Sequence, residues 1–261
     1  NLFSRHPEHF LVARENGALV GLAGLGVRQE FGLGWLVHIG VRRDRQNQGI
    51  GCRLVEAGLE HLRRLALPLA VIKYDRGNER AGHLYRKLGF VDFAEEVYFD
   101  RALVRGGEQH VPQARRERGA EALARRMAPE ALLFSELALA VAHGLVEDDL
   151  ALRARCLRDR LEPGHEAFVL AETNDRSFVI AGRESDGPVL RLHAVCADEP
   201  ASGAALLRSV CARYAALPEP GKPAMVAAYA HVYQPPPATL SATEGAGFQE
   251  IHRLHVLTQQ L

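Results

Sequence analysis

Two glycines one residue apart follow an apolar run and lead directly into an amphipathic stretch. The run ends at Val41, the glycines are Gly49 and Gly51, and leucines recur at helical spacing from Leu54. Glycine lets a backbone approach an anion closely. A helix N-terminus adds partial positive charge and N–H donors that lack a partner within the helix. The segment from Gln46 to Cys52 therefore predicts a cradle for the phosphate groups of a phosphorylated cofactor.

The spacing of this segment differs from two common phosphate-binding loops. A nucleotide-triphosphate loop has Lys and then Ser or Thr after its second glycine, whereas this chain has Cys52 and Arg53 there. The dinucleotide fingerprint has three glycines in the order G-x-G-x-x-G, and only Gly49 and Gly51 are present. What remains is a Gln-x-x-Gly-x-Gly turn that begins at Gln46.

A second segment, from Asn78 to Phe90, is typical of one short helix. Asn78 is a favourable N-cap, and Gly89 suits the position just after a helix end. Tyr85 lies inside this helix. The segment is the second place where chemistry could be positioned.

Together the two segments resemble the signatures of the GNAT superfamily of N-acetyltransferases. The first is similar to the acetyl-coenzyme A signature, and the second to Asn-x-x-Ala-x-x-Leu-Tyr-x-x-x-Gly-Phe. They occur in the family's order, with a helix and a strand predicted between them. The resemblance implies an α/β fold with a mixed, mostly antiparallel sheet flanked by helices. It also implies acetyl-coenzyme A (acetyl-CoA) as co-substrate and direct transfer of an acetyl group to a primary amine.

The resemblance also implies cofactor-binding positions. Backbone N–H groups of the cradle would hold the pyrophosphate, and backbone groups of the preceding strand would pair with the pantetheine arm as an added strand does. Asn78 would contact the cofactor, or serve only as an N-cap. Arg45 and Arg53 could add charge beside the phosphates, or be solvated arginines. The cofactor-binding residues are thus expected to be Ile39, Val41, Gln46, Asn47, Gln48, Gly49, Ile50, Gly51, Cys52, Asn78 and Tyr85.

Two catalytic residues are predicted. In direct transfer coenzyme A leaves as a thiolate, and the Tyr85 hydroxyl could protonate that sulfur from about 3 Å; the alternative is a core tyrosine. His38 is the candidate general base because histidine titrates near neutral pH. Side chains alternate between the two faces of a strand, so His38 should lie on the other face of the sheet from Ile39 unless a bulge intervenes. It could therefore be a packed histidine on the wrong face for catalysis. Asp75 and Glu30 are lesser candidates for the base, and surface carboxylates are the alternative for both.

The first half should otherwise be a sheet with few helices. We expect a hairpin from Phe10 to Ala23 and a buried strand from Leu69 to Ile72. Two strands, from Phe90 to Phe93 and from Glu96 to Phe99, should close the sheet. The opening strand and two helices of the family have no room between Asn1 and the hairpin. We expect that the native chain begins before Asn1 and carries them there; the alternative is that other segments cover that side of the sheet. Part of the acceptor pocket is then expected to lie outside this sequence.

The second half repeats this order of elements, which indicates a tandem arrangement. We expect a turn from Cys196 to Gly203 and a helix from Ala204 to Ala216. The cradle positions have changed, so the second copy is interpreted as a degenerate GNAT-like domain without acetyl-CoA binding, as in tandem two-domain bacterial GNAT proteins. The predicted limits are residues 1–105 for the catalytic domain, 106–120 for a linker and 121–261 for the degenerate domain. The changed positions are Pro200 for Gln46, Ala205 for Gly51 and Thr243 for Tyr85.

Composition constrains the partners. The 261 residues carry 32 basic and 32 acidic side chains, so no net field recruits nucleic acid or membrane. No run approaches the ~20 apolar residues of a spanning helix, and the four cysteines have no metal spacing. We therefore expect a cytoplasmic bacterial protein that uses no metal. Its acceptor would be a small-molecule or peptide amine, and a homodimer is compatible with the family. The alternatives are another acyl transfer on the same scaffold and a non-enzymatic acetyl-CoA sensor or interaction protein.

Overall fold

The computed structural model describes residues 7–104, 113–127, 135–161, 164–170, 175–184, 187–216, 224 and 226–261. Its contacts divide the chain into two compact units. The first unit is Asn1–Glu95 together with Leu254–Leu261, and the second is Glu96–Arg253. The boundaries of these units differ from those of the predicted domains, 1–105 and 121–261. The domain boundaries therefore stay a prediction.

The first unit is a sheet with helices on it, and its elements are numbered along the whole chain. Its strands follow the order β1-β2-β3-β4-β11. Only the β3–β4 pair is parallel, and the other three pairs are antiparallel. The elements are β1 (Phe10–Glu15), β2 (Ala18–Arg28), β3 (Leu33–Val41), α1 (Ile50–Arg64), β4 (Leu69–Asp75), α2 (Glu79–Lys87), the start of β5 (Val91–Ala102) and the end of β11 (Gln249–Gln260).

The predicted hairpin is confirmed as β1 and β2, which pair antiparallel. Its turn residues Asn16 and Gly17 both have positive φ, 48° and 81°. A two-residue turn that matches the right-handed twist of the strands needs this conformation at both positions, which is why Asn-Gly is favoured there.

A bulge interrupts β3 close to its end. His38 and Ile39 of β3 both lie opposite the single residue Ala23 of β2, and His38 has a φ of 52°. The parallel pairing of β3 with β4 extends only as far as Leu36 and Ile72 among the described pairs. The last residues of β3 therefore have no described strand partner on their β4 side.

Helix α1 crosses the sheet and fixes where its own N-terminus lies. Its buried residues Val55, Leu59 and Leu62 pack with Leu36 and other residues of the core of the first unit. A Cβ added at Gly34 would lie 2.6 Å from Leu62, so helix and strand approach too closely for a side chain there. This packing holds the start of α1 at the end of β3.

The prediction of two closing strands, Phe90 to Phe93 and Glu96 to Phe99, is wrong. The segment is the single strand β5, because Ala94 and Glu95 are not turn-forming residues and the backbone stays extended through them. In the first unit the place beside β4 is taken by Leu254–Gln260 of β11, which pairs antiparallel with it.

From residue 165 onwards the second unit repeats the order of elements of the first, which agrees with the predicted repeat; one further strand and three helices precede this part. Its strands follow the order β5-β10-β9-β8-β7-β6, and only the β9–β10 pair is parallel. The elements are β6 (Ala114–Glu117), α3 (Ala120–Arg126), α4 (Ser135–Ala142), α5 (Leu150–Arg160), β7 (His165–Leu170), β8 (Phe178–Arg183), β9 (Val189–Cys196), α6 (Pro200–Ala216), β10 (Ala227–Tyr233) and α7 (Pro237–Gly245).

Two predictions for this half need correction. Helix α6 begins at Pro200 rather than Ala204, because proline has the φ of a first helical residue and lacks only an N–H that would have no partner there. The N–H of Gly203 accordingly donates to the Glu199 carbonyl at 2.9 Å. The predicted linker 106–120 contains β6, which pairs with β7 as an edge strand; residues 105–112 lie outside the described residues.

The four cysteines are free thiols. Burial raises the pKa of Cys156, and it raises that of Cys196 to about 12, so both stay protonated near neutral pH. In the parts of the chain that the structure describes, no helix combines the length and apolar character needed to cross a membrane.

Leu257→Ala tests whether the end of β11 is part of the core of the first unit. Leu257 is fully buried and packs in that core. We expect the substitution to lower the free energy of unfolding by about 2–5 kcal/mol, measured by urea denaturation. Gln260→Ala, at an exposed position of the same strand, is the control and should change it by less than about 0.5 kcal/mol. Equal effects would contradict this placement of the strand.

Candidate functional site

A pocket of about 420 Å³ opens where β3 ends and α1 begins, and α2 forms its other wall. It brings together most of the residues that the two sequence signatures predicted. Its lining residues are Ile39, Val41, Arg45, Gln46, Asn47, Gly49, Ile50, Gly51, Cys52, Asn78, Arg80, Ala81, Leu84 and Tyr85.

The start of α1 presents open backbone donors to this pocket. Gly49 is the N-cap in the left-handed conformation (φ 74°), and it has no side chain to cap the helix. The first described backbone bond of the helix runs from the Arg53 N–H to the Gly49 carbonyl at 3.1 Å. The N–H groups of Ile50, Gly51 and Cys52 precede it and have no partner inside the helix. Such N–H groups, with the positive end of the helix dipole behind them, suit an anion.

The two glycines of the cradle serve different purposes. Gly49 is required by its positive φ, since an L side chain is strained in that conformation. Gly51 is not required by the chain itself: a Cβ there would make only ordinary contacts of 3.8 Å with Leu84 and Val41. The missing side chain at Gly51 instead leaves the amides of the first turn accessible from the pocket.

The loop before α1 is held by its own polar groups. The Gln46 side-chain amide donates to the Val41 carbonyl at 3.2 Å, which fastens the loop to the end of β3. Asn47 has a φ of 63°. The Gln48 carbonyl accepts a bond of 3.4 Å from Arg53, and Gln48 is the one predicted cradle residue that does not line the pocket.

The α2 wall carries Asn78 and Tyr85. The Asn78 side chain accepts the Ala81 N–H at 3.2 Å, so it caps the helix and lines the pocket as well. Tyr85 is only 7% exposed, and its ring meets those of Tyr74 and Phe90 edge-on at 6.2 and 6.3 Å. Burial raises the pKa of Tyr85, so the hydroxyl keeps its proton at neutral pH. No described residue is hydrogen-bonded to that hydroxyl.

His38 does not line the pocket, although the bulge that the sequence argument allowed for is present. Its side chain is exposed, and Ile39 contributes to the wall instead. Asp75 and Glu30 are also outside the lining: Asp75 accepts the Gly77 N–H at 2.6 Å, and Glu30 lies in a short 3₁₀ helix. Among the lining residues there is no histidine and no carboxylate. The described lining therefore contains the protonated hydroxyl of Tyr85, but no histidine or carboxylate that could accept a proton from an amine.

Two arginines, Arg45 and Arg80, line the pocket and have partners of different charge. Arg45 donates from Nε to Glu15 at 2.6 Å and lies 3.3 Å from an Asp44 carboxylate oxygen; the bond to Glu15 is the main reason that its pKa is raised. Arg80 contacts the Asn47 side chain across the pocket and was not predicted from the sequence. The sequence feature that could have indicated Arg80 is a cation in the first turn of a predicted helix, a position that the helix dipole disfavours.

Cys52 occupies the first turn of α1, and its thiol contacts the Glu56 carboxylate at 3.6 Å. Burial, followed by the charge of Glu56, raises the pKa of this thiol. Cys52 is therefore a protonated thiol at neutral pH, and its backbone amide is the group that it offers to the pocket.

In the second unit the corresponding region is packed with side chains. The Ala197 N–H, just after β9, donates to the Thr239 hydroxyl at 3.1 Å. The Thr243 hydroxyl is fully buried and donates to the Thr239 carbonyl at 2.8 Å. A Cβ at Gly203 would lie 2.5 Å from that of Ala197 and 2.8 Å from that of Ala242, so this glycine permits close packing inside α6.

The different purposes of Gly49 and Gly51 can be tested without any ligand. Gly49→Ala should lower the free energy of unfolding by about 1–2 kcal/mol, because alanine must adopt a left-handed conformation there. Gly51→Ala, its matched control, should leave stability unchanged or raise it by up to about 1 kcal/mol, since alanine is the better helix former. Chemical denaturation measures both. A large loss for Gly51→Ala would mean that the chain itself needs that glycine.

Known proteins show similarity to the part of the chain that forms this site. Residues 1–90 match the model of the acetyltransferase (GNAT) family. The mycothiol acetyltransferase of Streptomyces coelicolor is 34% identical over 93 residues, which are 36% of this chain and 30% of that protein. That of Acidimicrobium ferrooxidans is 36% identical over 94 residues, 35% of this chain and 30% of its own length. The match thus spans less than a third of these curated relatives.

Solved structures share the fold over nearly the whole chain. A GCN5-related N-acetyltransferase from Sphaerobacter thermophilus has a TM-score of 0.64 at 13% identity, covering 97% of this chain and 80% of its own. A tandem GNAT protein from the clavulanic acid biosynthesis pathway has a TM-score of 0.56 at 14% identity, covering 97% and 83%. At these identities the similarity concerns the fold alone. The chain therefore has the mixed α/β fold of GNAT proteins, and the similarity to the GNAT acetyltransferase family lies in its residues 1–90.

Proposed function

We propose that this protein transfers the acetyl group of acetyl-CoA to the primary amine of an acceptor by direct attack. The observation that carries the proposal is the row of open amides at Ile50, Gly51 and Cys52, facing a pocket whose wall also includes Tyr85. One end of the pocket suits a pyrophosphate, and the other holds a protonated acid.

The cofactor is proposed to lie along the end of β3. Its pyrophosphate would accept hydrogen bonds from the first turn of α1. Its pantetheine arm would pair with backbone groups near Ile39 and Val41, which have no described strand partner on the β4 side. This placement brings the thioester towards Tyr85.

In the proposed reaction the amine nitrogen attacks the thioester carbonyl carbon, and a C–N bond forms. The C–S bond then breaks, and the electron pair stays on sulfur. Tyr85 donates its proton to that sulfur, which its raised pKa allows because the hydroxyl is fully protonated at neutral pH. Solvent afterwards reprotonates the tyrosinate.

The amine must also lose a proton. The described lining offers no histidine or carboxylate for this. We assign the step to His38, reached through water, because it lies on the bulge directly beside Ile39 of the wall. This assignment rests on its position in the chain rather than on a contact.

A small-molecule amine is the proposed acceptor, supported by relatives that are named mycothiol acetyltransferases. The second unit is proposed to bind no acetyl-CoA, because the start of α6 is packed against Ala197 and Ala242 where the first unit has a cradle. The absence of a base from the described lining favours one other function, an acetyl-CoA sensor that binds the cofactor without transfer.

Calorimetric titration with acetyl-CoA tests the site. We expect binding by the unmodified chain and at least about tenfold weaker binding by Gly51→Glu, because a carboxylate in the cradle repels the phosphates and occupies the amides. Gly51→Gln introduces a side chain of nearly equal size without the charge, so its affinity for acetyl-CoA should fall less than that of Gly51→Glu. No binding by the folded, unmodified chain would overturn the proposal.

Tyr85→Phe tests the acid. Turnover of acetyl-CoA with an accepted amine, followed as thiol release, should fall by about 10²–10⁴-fold. The affinity for acetyl-CoA should stay within about twofold, because the ring and its packing are retained. Unchanged turnover would remove Tyr85 from the mechanism, and binding without turnover across a broad amine panel would favour the sensor.

A further inference from the structure

Three arginines surround the phosphate cradle, and their charges are engaged to different degrees. Arg45 is held by the carboxylates of Glu15 and Asp44, so its charge is largely neutralised inside the chain. Arg53 donates to the Gln48 carbonyl. Counting positive residues near the cradle therefore overstates the charge available to a ligand.

Arg80 is in a different state. It is exposed, it lines the pocket, and its one described contact is with the neutral side chain of Asn47. No described carboxylate pairs with it. A guanidinium has five N–H donors in a planar fork, so most of the donors of Arg80 are still open to a ligand.

The position of Arg80 carries an electrostatic cost in the absence of a ligand. It is the second residue of α2, after the cap Asn78, and the positive end of the helix dipole repels a cation there. The open amides of α1 line the same pocket. The start of α1 and the guanidinium of Arg80 thus both place positive charge at this end of the pocket, opposed in α2 by the Glu79 carboxylate of the first turn, and an anionic ligand there is favourable.

We infer that Arg80 binds a phosphate of the nucleotide end of the cofactor and provides most of the charge-dependent affinity of this site. This rests on the proposed function. The planar fork suits a bidentate contact with phosphate oxygens. Asn47, whose side chain already contacts Arg80, holds the guanidinium near the pocket before the ligand arrives. Arg45 contributes less because its partners are acidic.

Calorimetry with coenzyme A and with 3′-dephospho-coenzyme A, at low salt, tests the inference. Arg80→Gln should bind coenzyme A about 10- to 100-fold more weakly, the range for charge-assisted hydrogen bonds. Arg80→Lys keeps the positive charge but not the planar fork of donors, so its affinity for coenzyme A should lie between those of the unmodified chain and Arg80→Gln. Arg76→Gln, an exposed arginine outside the pocket, is the charge-matched control and should stay within about twofold.

The second ligand identifies the phosphate. If the loss caused by Arg80→Gln persists with 3′-dephospho-coenzyme A, Arg80 contacts the pyrophosphate; if it disappears, Arg80 contacts the 3′-phosphate. Both outcomes support the inference. An affinity of Arg80→Gln within about twofold of the unmodified chain overturns it, as does a larger loss in Arg45→Gln. Failure of the unmodified chain to bind either ligand overturns the proposed function instead. Thermal melting confirms that each variant is folded.

Discussion

The unpaired amides at the start of α1 are the feature on which the site depends. They exist because Gly49 turns the chain in a left-handed conformation and brings no side chain to cap the helix. They lie at the end of β3 because α1 packs its apolar face on the sheet so closely that Gly34 has no room for a Cβ beside Leu62. A helix start is always short of hydrogen-bond acceptors. Here the N–H groups without acceptors face a pocket, so an anionic ligand could accept their hydrogen bonds.

The topology supplies the other half of the site. A parallel strand pair needs a crossover connection, and α1 is the crossover between β3 and β4. The pairing ends at Leu36 and Ile72, so the end of β3 and the start of the crossover helix lie beside the same opening. The second unit has the same parallel pair and crossover, but its connection is shorter: only three residues lie between the end of β9 and the start of α6 at Pro200, and Thr239 accepts the backbone N–H that follows β9. The fold provides a place for a cofactor, and the loop decides whether one can bind.

Local patterns were reliable wherever the cause was local. The hairpin at Asn16 and Gly17 and the N-cap at Asn78 follow from the conformations that these residues prefer, and both are present. The errors have other causes. The two strands predicted within Phe90 to Phe99 are the single strand β5, and the strand beside β4 comes from the far end of the chain, which no local pattern indicates. Pro200 was interpreted as a turn residue, although proline fits a first helical position equally well.

By itself the sequence determined the two glycines and the asparagine cap, since their spacing after one strand and at the starts of two helices is enough to predict a phosphate cradle. The role of the tyrosine as an acid is what the resemblance of its segment to the GNAT signature implies. Only the tertiary structure decided which charges the cradle can use. Arg45 is neutralised by Glu15 of a separate strand, and Arg80 reaches Asn47 from another helix. Likewise, only the tertiary structure placed Leu254–Gln260 beside β4. Periodicity reports the environment of neighbours along the chain, whereas ion pairs and strand partners depend on distances in space between residues far apart in sequence.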